Sequence, residues 1–199
     1  DQLGIPALVV NPESLPELEQ TLTLLGQAAG CADRAAELVA CNQETEAFLN
    51  DTLAGAEKPV VYLAGNSSYL STAGPAMYQD TLIQLGGGVN AAAELTDTYW
   101  ADISYEQLLA WDPEVIVIVP GADYTKDDLL ADPQLADLTA VKEGKVFAMP
   151  TAFESWDSPV PSAMIGSLWM ANVLHPDLYD FDVFAADASD FYSRFYGVE

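Results

Sequence analysis

The chain alternates between short, unbroken apolar runs and longer segments in which apolar residues recur every three or four positions. The runs are residues 7–11 (ALVVN), 59–65 (PVVYLAG), 114–121 (EVIVIVPG) and 146–149 (VFAM). Val115, Ile116, Val117, Ile118 and Val119 form the clearest of them, and an unbroken β-branched run of this kind suits a parallel strand covered on both faces. Between the runs the period changes to that of a helix. Ser14 and Glu17 have the spacing of a capping box, and Leu15, Leu18, Leu22 and Leu25 follow on one helical face before Gly26 and Gly30 weaken the end. A second helix is predicted over residues 33–53, with Leu38, Cys41, Thr45, Phe48 and Leu49 on one side. It measures about 32 Å at 1.5 Å per residue, which makes it a candidate spacer between two lobes.

Further helices are expected over 75–85, stopping at Gly86-Gly87-Gly88, and from Ser104 to Pro113, opened by a second box with Gln107. Others are expected over 126–138, 161–174 and 187–196. Residues 66–74 read as a polar loop and 89–103 as a loop that ends aromatic and acidic. Strands alternating with helices predict an α/β fold: a three-layer sandwich lobe with a mostly parallel sheet, preceded by the long helix.

Half of the residues are apolar, so a core can be buried, yet 31 acidic residues face only 6 basic ones and the formal net charge is -25. This charge belongs on a solvated surface. It excludes nucleic acid, whose phosphates need Lys and Arg, and argues against an anionic bilayer surface. No stretch of about 18 apolar residues offers a membrane span. The opening residues, DQLGIPALVV, are not a signal peptide and read like the middle of a protein. Cys31 and Cys41 lie ten residues apart. On one helix that is about 15 Å, against the roughly 7 Å limit of a disulfide, so two free and mostly buried thiols are expected.

The chemistry of common enzymes is missing. The single histidine, His175, stands at a helix end before Pro176, where it suits the terminal carbonyls. No zinc motif and no phosphate-cradling loop occurs. Gly65-Asn66-Ser67-Ser68 is not a nucleophile elbow, and Gly86-Gly87-Gly88 ends a helix where a dinucleotide fingerprint would open one. No enzyme, cofactor or metal site is read from the residues.

Five segments, taken in order, carry a resemblance: LGIPALVV…LGQAAG (3–30), DTYWADISYEQLLAWDPEVIVI (97–118), LTAVKEGKVFAMP (138–150), SWDSPVPSAMIGSLWMANVLHP (155–176) and FYSRFYG (191–197). Together they resemble the substrate-binding proteins of ABC importers for iron–siderophores, haem and cobalamin. The resemblance implies two α/β lobes joined by one rigid helix, with the ligand in the cleft between them. Residues 1–30 then correspond to the end of a first lobe, 31–56 to the spanning helix and 57–199 to the second lobe with its closing helices. The implied function is extracytoplasmic capture of a metal chelate (a ferric siderophore, haem or a corrinoid) by a periplasmic or cell-surface lipoprotein, with delivery to an ABC permease. A sensor or scaffold module of the same fold and a hydrolase on an α/β sandwich are the alternatives.

The residues expected to line the cleft are Trp100 and Tyr99 before the Ser104 helix, Asn66 and Tyr69 after the first strand of the second lobe, and Phe153 and Trp156 after the third. The resemblance supports Trp100 further, since an aromatic lines the cleft at the matching position of the cobalamin member. Trp111 and Trp169 fall inside helical patterns and read as core. Lys126, Lys142, Lys145 and Arg194 fall outside the cleft loops, which favours a neutral or weakly charged chelate such as a corrinoid or hydroxamate. Glu106 matches the rim glutamate with which family members meet arginines of the permease.

Overall fold

The computed structural model describes residues 7–96 and 98–198. Two helices come first, α1 (Leu15–Ala28) and α2 (Ala32–Thr52), followed by β1 (Val60–Ala64), β2 (Ser71–Ala73), α3 (Tyr78–Leu85), β3 (Val89–Asn90) and β4 (Trp100–Asp102). Then come α4 (Tyr105–Trp111), β5 (Val115–Ile118), α5 (Lys126–Ala131), the single turn α6 (Thr139–Lys142), β6 (Val146–Ala148), α7 (Ala163–Leu174) and α8 (Phe181–Tyr196). A four-stranded parallel sheet runs in the order β3-β1-β5-β6, and β2 and β4 pair antiparallel as a separate ribbon.

The alternation along the two central strands explains the three layers. Val61 and Leu63 of β1, with Val115 and Val117 of β5, enter a cluster built with α1, α2, α3, α7 and α8. Tyr62 and Ala64, with Ile116 and Ile118, point the other way, into a second cluster with Leu108, Leu129, Leu135 and Leu138. A strand with both faces buried needs apolar residues at every position, and that is why these runs are unbroken. The sandwich with a mostly parallel sheet is the architecture expected from the sequence.

Glycines let the helices close on one another. A Cβ on Gly26 would sit 2.3 Å from the Ala35 Cβ, so α1 and α2 touch there. One on Gly166 would sit 2.3 Å from the Trp156 carbonyl oxygen, where α7 meets the loop before it.

Several local expectations need correction. Residues 7–11 form no strand, and residues 7–10 are exposed; among the described residues no sheet strand lies beside them to complete their backbone hydrogen bonds. Residues 1–6 lie outside the described residues. The Ser14 side chain caps nothing; the Glu17 carboxylate reaches past it to accept from the Glu13 N–H at 2.9 Å. The Ser104 box is half formed, since Ser104 accepts from the Gln107 N–H while the Gln107 amide turns to Glu94. The helix over 126–138 stops at Ala131, ahead of Asp132-Pro133, and the last helix starts six residues early, capped by Asp180. Cys31 is exposed and Cys41 half-buried, both free. His175 does sit at the end of α7, with Nε2 facing the Gly87 carbonyl 3.2 Å away.

Charge opposes this packing. Among the described residues only three ion pairs form, Arg34–Glu37, Lys142–Asp137 and Lys145–Glu143, all solvated. Most of the described carboxylates therefore repel one another with no cation beside them. Raising NaCl to about 1 M, where the screening length is about 3 Å, is expected to raise the melting temperature. A melting temperature that does not respond to salt would contradict this.

Asp157 gives a second test. It is buried, and desolvation raises its pKa. Below the ordinary carboxylate range both folded and unfolded states hold the proton and no penalty arises. As pH rises through that range the unfolded chain releases its proton first, which favours unfolding. Asp157→Asn is expected to be more stable than the parent at pH 7 in urea melts, with the gap closing below about pH 4. A gap independent of pH would contradict the assignment.

Candidate functional site

In an open parallel sheet, a ligand sits beyond the carboxyl ends of the strands. Here that edge is made of Gly65 and Asn66 after β1 and Val119, Pro120 and Gly121 after β5. It is knitted together by side chains. Asn66 donates from Nδ2 to the Pro120 carbonyl at 2.9 Å, its own carbonyl accepts from the Asp123 N–H at 2.8 Å, and Tyr124 donates its hydroxyl to the Gly65 carbonyl at 2.8 Å. Gly121 takes a left-handed φ of 74°, so the chain turns back there without strain.

Trp100 lies on this edge. A Cβ on Gly65 would be 2.7 Å from Trp100 Cζ3 and 3.2 Å from Cε3, which means the indole ring rests directly on the Gly65 backbone. The ring is held by β4, whose pairing with β2 sets Trp100 opposite Ala73. It remains 37% exposed, and the adjacent Tyr99 53%. The Trp100 ring thus meets the Gly65 backbone, Asn66 follows Gly65 in the chain with its side chain toward Pro120 and Gly121, and Tyr99 precedes Trp100.

The other aromatic candidates turn elsewhere. Tyr69 donates its hydroxyl to Asp132 Oδ2 at 2.6 Å and packs edge-on against Tyr124. Phe153 is exposed but stacks on Tyr196 of α8, with ring planes 16° apart. Trp156 is buried in the core, where its Nε1 donates to the Tyr192 hydroxyl at 2.6 Å, so it offers no open face to a ligand. Trp169 is core, and Trp111 packs against the second cluster. Glu106 is exposed in the first turn of α4, where its own backbone N–H and the Ser104 hydroxyl hold its carboxyl below the usual range.

The sequence singles out Gly65 only to exclude a nucleophile elbow, and it does not single out Pro120 or Tyr124. The available signal was a glycine directly after a buried strand, a common mark of close approach by another group.

Five of the six basic residues have partners, and neither Gly65 nor Trp100 is among them. Arg34 and Arg194 lie over the Phe195 ring, Lys126 over Phe147, Lys142 and Lys145 pair with acids, and Lys58 lines a cavity with Glu57, Pro59 and Glu114 at the amino end of β1. Among the described residues no group of three His, Cys, Asp or Glu side chains is placed to hold a metal ion. A cavity of about 250 Å³ opens between α2, α7 and α8, floored by Phe48, Met164, Leu168 and Phe191. It is a gap between helices with the solvated acids Glu44, Asp187 and Asp190 on its rim, and it lacks the Gly65 edge's backbone donors and acceptors.

A family model described as periplasmic binding protein matches residues 1–152. The chain belongs to the periplasmic binding protein family. One relative within it is the molybdate-binding protein MolA of Haemophilus influenzae, 29% identical over 182 residues, which span 90% of this chain and 51% of that protein. Another is a cobalamin-binding protein of Halobacterium salinarum, 29% identical over 165 residues, or 79% of this chain and 43% of that one. The chain thus spans about half the length of the relatives it matches. A periplasmic solute-binding protein of Veillonella parvula superposes with a TM-score of 0.85 at 27% identity, covering all of this chain and 61% of that one. MolA with bound molybdate superposes with a TM-score of 0.80 at 25% identity, covering 93% and 57%. Among the described residues, no helix is long and apolar enough to cross a membrane.

Gly65→Ala places a methyl where the Trp100 ring now rests. It is expected to displace the ring, shift tryptophan emission to the red and cost about 1–3 kcal/mol, the usual range for overpacking. The emission change should vanish when Gly65→Ala is made in a Trp100→Phe background. An emission change that persists there would show that the ring does not rest on Gly65.

Proposed function

We propose that this chain forms one wall of the solute-capture protein of an ABC importer, and that the solute is a metal chelate, a corrinoid or another weakly charged complex before a strongly anionic one. The observation that carries this reading is the Trp100 ring laid on Gly65, on the same sheet edge where the Asn66 amide bonds the Pro120 carbonyl. A partly exposed indole and a carboxamide make an apolar face with a few orienting polar groups, which suits a flat or greasy ligand. Five of the six basic side chains are engaged with other groups and Lys58 lines a cavity at the amino end of β1, so this wall favours a neutral chelate over an oxyanion or a catecholate. The relative named for cobalamin agrees with the reading, and the one named for molybdate marks the competing ligand class.

On this reading residues 1–30 belong with a first lobe, α2 spans between the lobes, and 57–199 form the second. The protein binds and delivers without catalysis, outside the cytoplasmic membrane, as a periplasmic or cell-surface lipoprotein. Tyr99 and Asn66 contact the chelate together with Trp100. Tyr69, Phe153 and Trp156 support the loops around it. Glu106, ionised and solvated at the start of α4, is the group that meets an arginine of the permease. Rim charges of this kind set partner choice and encounter rate.

A good pocket covers about 70–90% of its ligand, and one wall covers roughly half of that. Cyanocobalamin titrated calorimetrically into the 199-residue chain is therefore expected to bind with a Kd of about 100 μM or weaker, near -5 kcal/mol. In the protein with both walls, Trp100→Ala is expected to weaken binding by about 1–3 kcal/mol. Submicromolar binding by the chain alone would overturn the two-wall reading, and unchanged affinity in Trp100→Ala would remove the ring from the site. Glu106→Arg is expected to leave cyanocobalamin affinity intact and to reduce uptake into reconstituted vesicles. Equal uptake would remove Glu106 from docking.

A further inference from the structure

The side chains around Asp132 form a bracket outside the ligand edge. Asp132 follows α5, and its Oδ2 accepts from two phenols, Tyr69 at 2.6 Å and Tyr105 at 2.8 Å. The two hydroxyls lie 3.3 Å apart, and Oδ1 accepts from the Gln134 N–H at 2.9 Å. Hydrogen bonds to an ionised carboxylate are about twice as strong as neutral ones.

The position of the phenols gives the bracket its use. Tyr69 lies two residues before β2 and Tyr105 three residues after β4, and these two strands pair as a ribbon with Ser71 opposite Asp102. Asp132 therefore closes one end of that ribbon, where the Ile103 N–H also donates to the Leu70 carbonyl at 2.8 Å. At the other end, Trp100 opposite Ala73 rests on Gly65. Tyr105 is the first residue of α4, and Glu106 the second. A helix of seven residues has little stability of its own, so its direction depends on such ties. At its far end Trp111 donates to Glu94 at 2.9 Å.

We propose that Asp132 is a positioning residue which, through Tyr69 and Tyr105, fixes the first turn of α4 relative to the ribbon that carries Trp100. The corner bearing Glu106 is thereby held in register with the chelate-facing edge. The docking part rests on the reading of Glu106 given above; the bracket itself does not.

Asp132→Asn keeps the shape and removes the charge. Amide exchange followed by NMR in the full chain is expected to speed up by about tenfold at Ile103, Gln107, Leu108 and Ser71, the scale of one lost charge-assisted hydrogen bond. Amides of β1 and β5 should be unchanged. Tyr105→Phe, a milder change, should give the same pattern. The second readout is ATP hydrolysis by the partner importer in proteoliposomes. The half-saturating concentration of Asp132→Asn is expected to rise by about tenfold on the same scale, with no further rise when Asp132→Asn is added to Glu106→Gln. Unchanged exchange at those four amides in both variants overturns the bracket. Additive effects of Asp132→Asn and Glu106→Gln overturn action through Glu106. If Glu106→Gln alone has no effect, the docking reading fails, and the exchange data still decide the bracket.

Discussion

Two strands, β1 and β5, set the terms for the rest of the molecule. Each sends alternate side chains into two separate apolar clusters, so neither face of the sheet tolerates water. Helices must cover both sides, and connections between parallel strands must cross from one end of the sheet to the other. These crossings leave the carboxyl ends of β1 and β5 at one edge. There the chain turns at Gly65 and Gly121, and polar backbone meets solvent. The candidate site is a consequence of that constraint: the edge cannot be closed by more sheet, so it is closed by side chains such as Asn66, Tyr124 and Trp100.

The sequence made the two-faced strands legible because both burial and strand geometry demand the same thing, an unbroken apolar run. It failed where these demands separate. Residues 7–11 have the apolar character of a strand but, among the described residues, no neighbour to pair with, and hydrogen-bonding partners are not written in a local run. The β2–β4 ribbon failed in the opposite direction: three residues each, mixed in polarity, with pairing that comes from distant parts of the chain. The site followed the same division. Loop membership drew attention to Trp100 and Asn66 together with Tyr69, Phe153 and Trp156, yet it carries no information on where a ring turns. Tyr69 found a carboxylate, Phe153 found the last helix, and Trp156 found the core.

Electrostatics and packing act on different scales here. The net charge of -25 works against the compact state as a whole and keeps copies apart. Individual carboxylates nevertheless do local structural work. Asp132 gathers two phenols, Glu94 gathers Gln107 and Trp111, and Asp112 ties the end of α4 to Thr139. In a chain with few cations, acids find hydroxyls, indoles and backbone N–H groups as partners, and α4 is surrounded by three such ties. That places rigidity around the helix that carries Glu106 and beside the ribbon that carries Trp100.

The most direct test of the account is to map where a chelate touches this chain. Cyanocobalamin added at millimolar concentration to isotope-labelled protein, followed by NMR, should shift the amides of Gly65, Asn66 and Gly121 and the indole N–H of Trp100. The core amides of Leu63 and Val117 should stay in place. Shifts confined to the helix gap lined by Phe48 and Phe191, or no shift at the Gly65 edge at saturating chelate, would contradict the claim that this edge is the ligand wall.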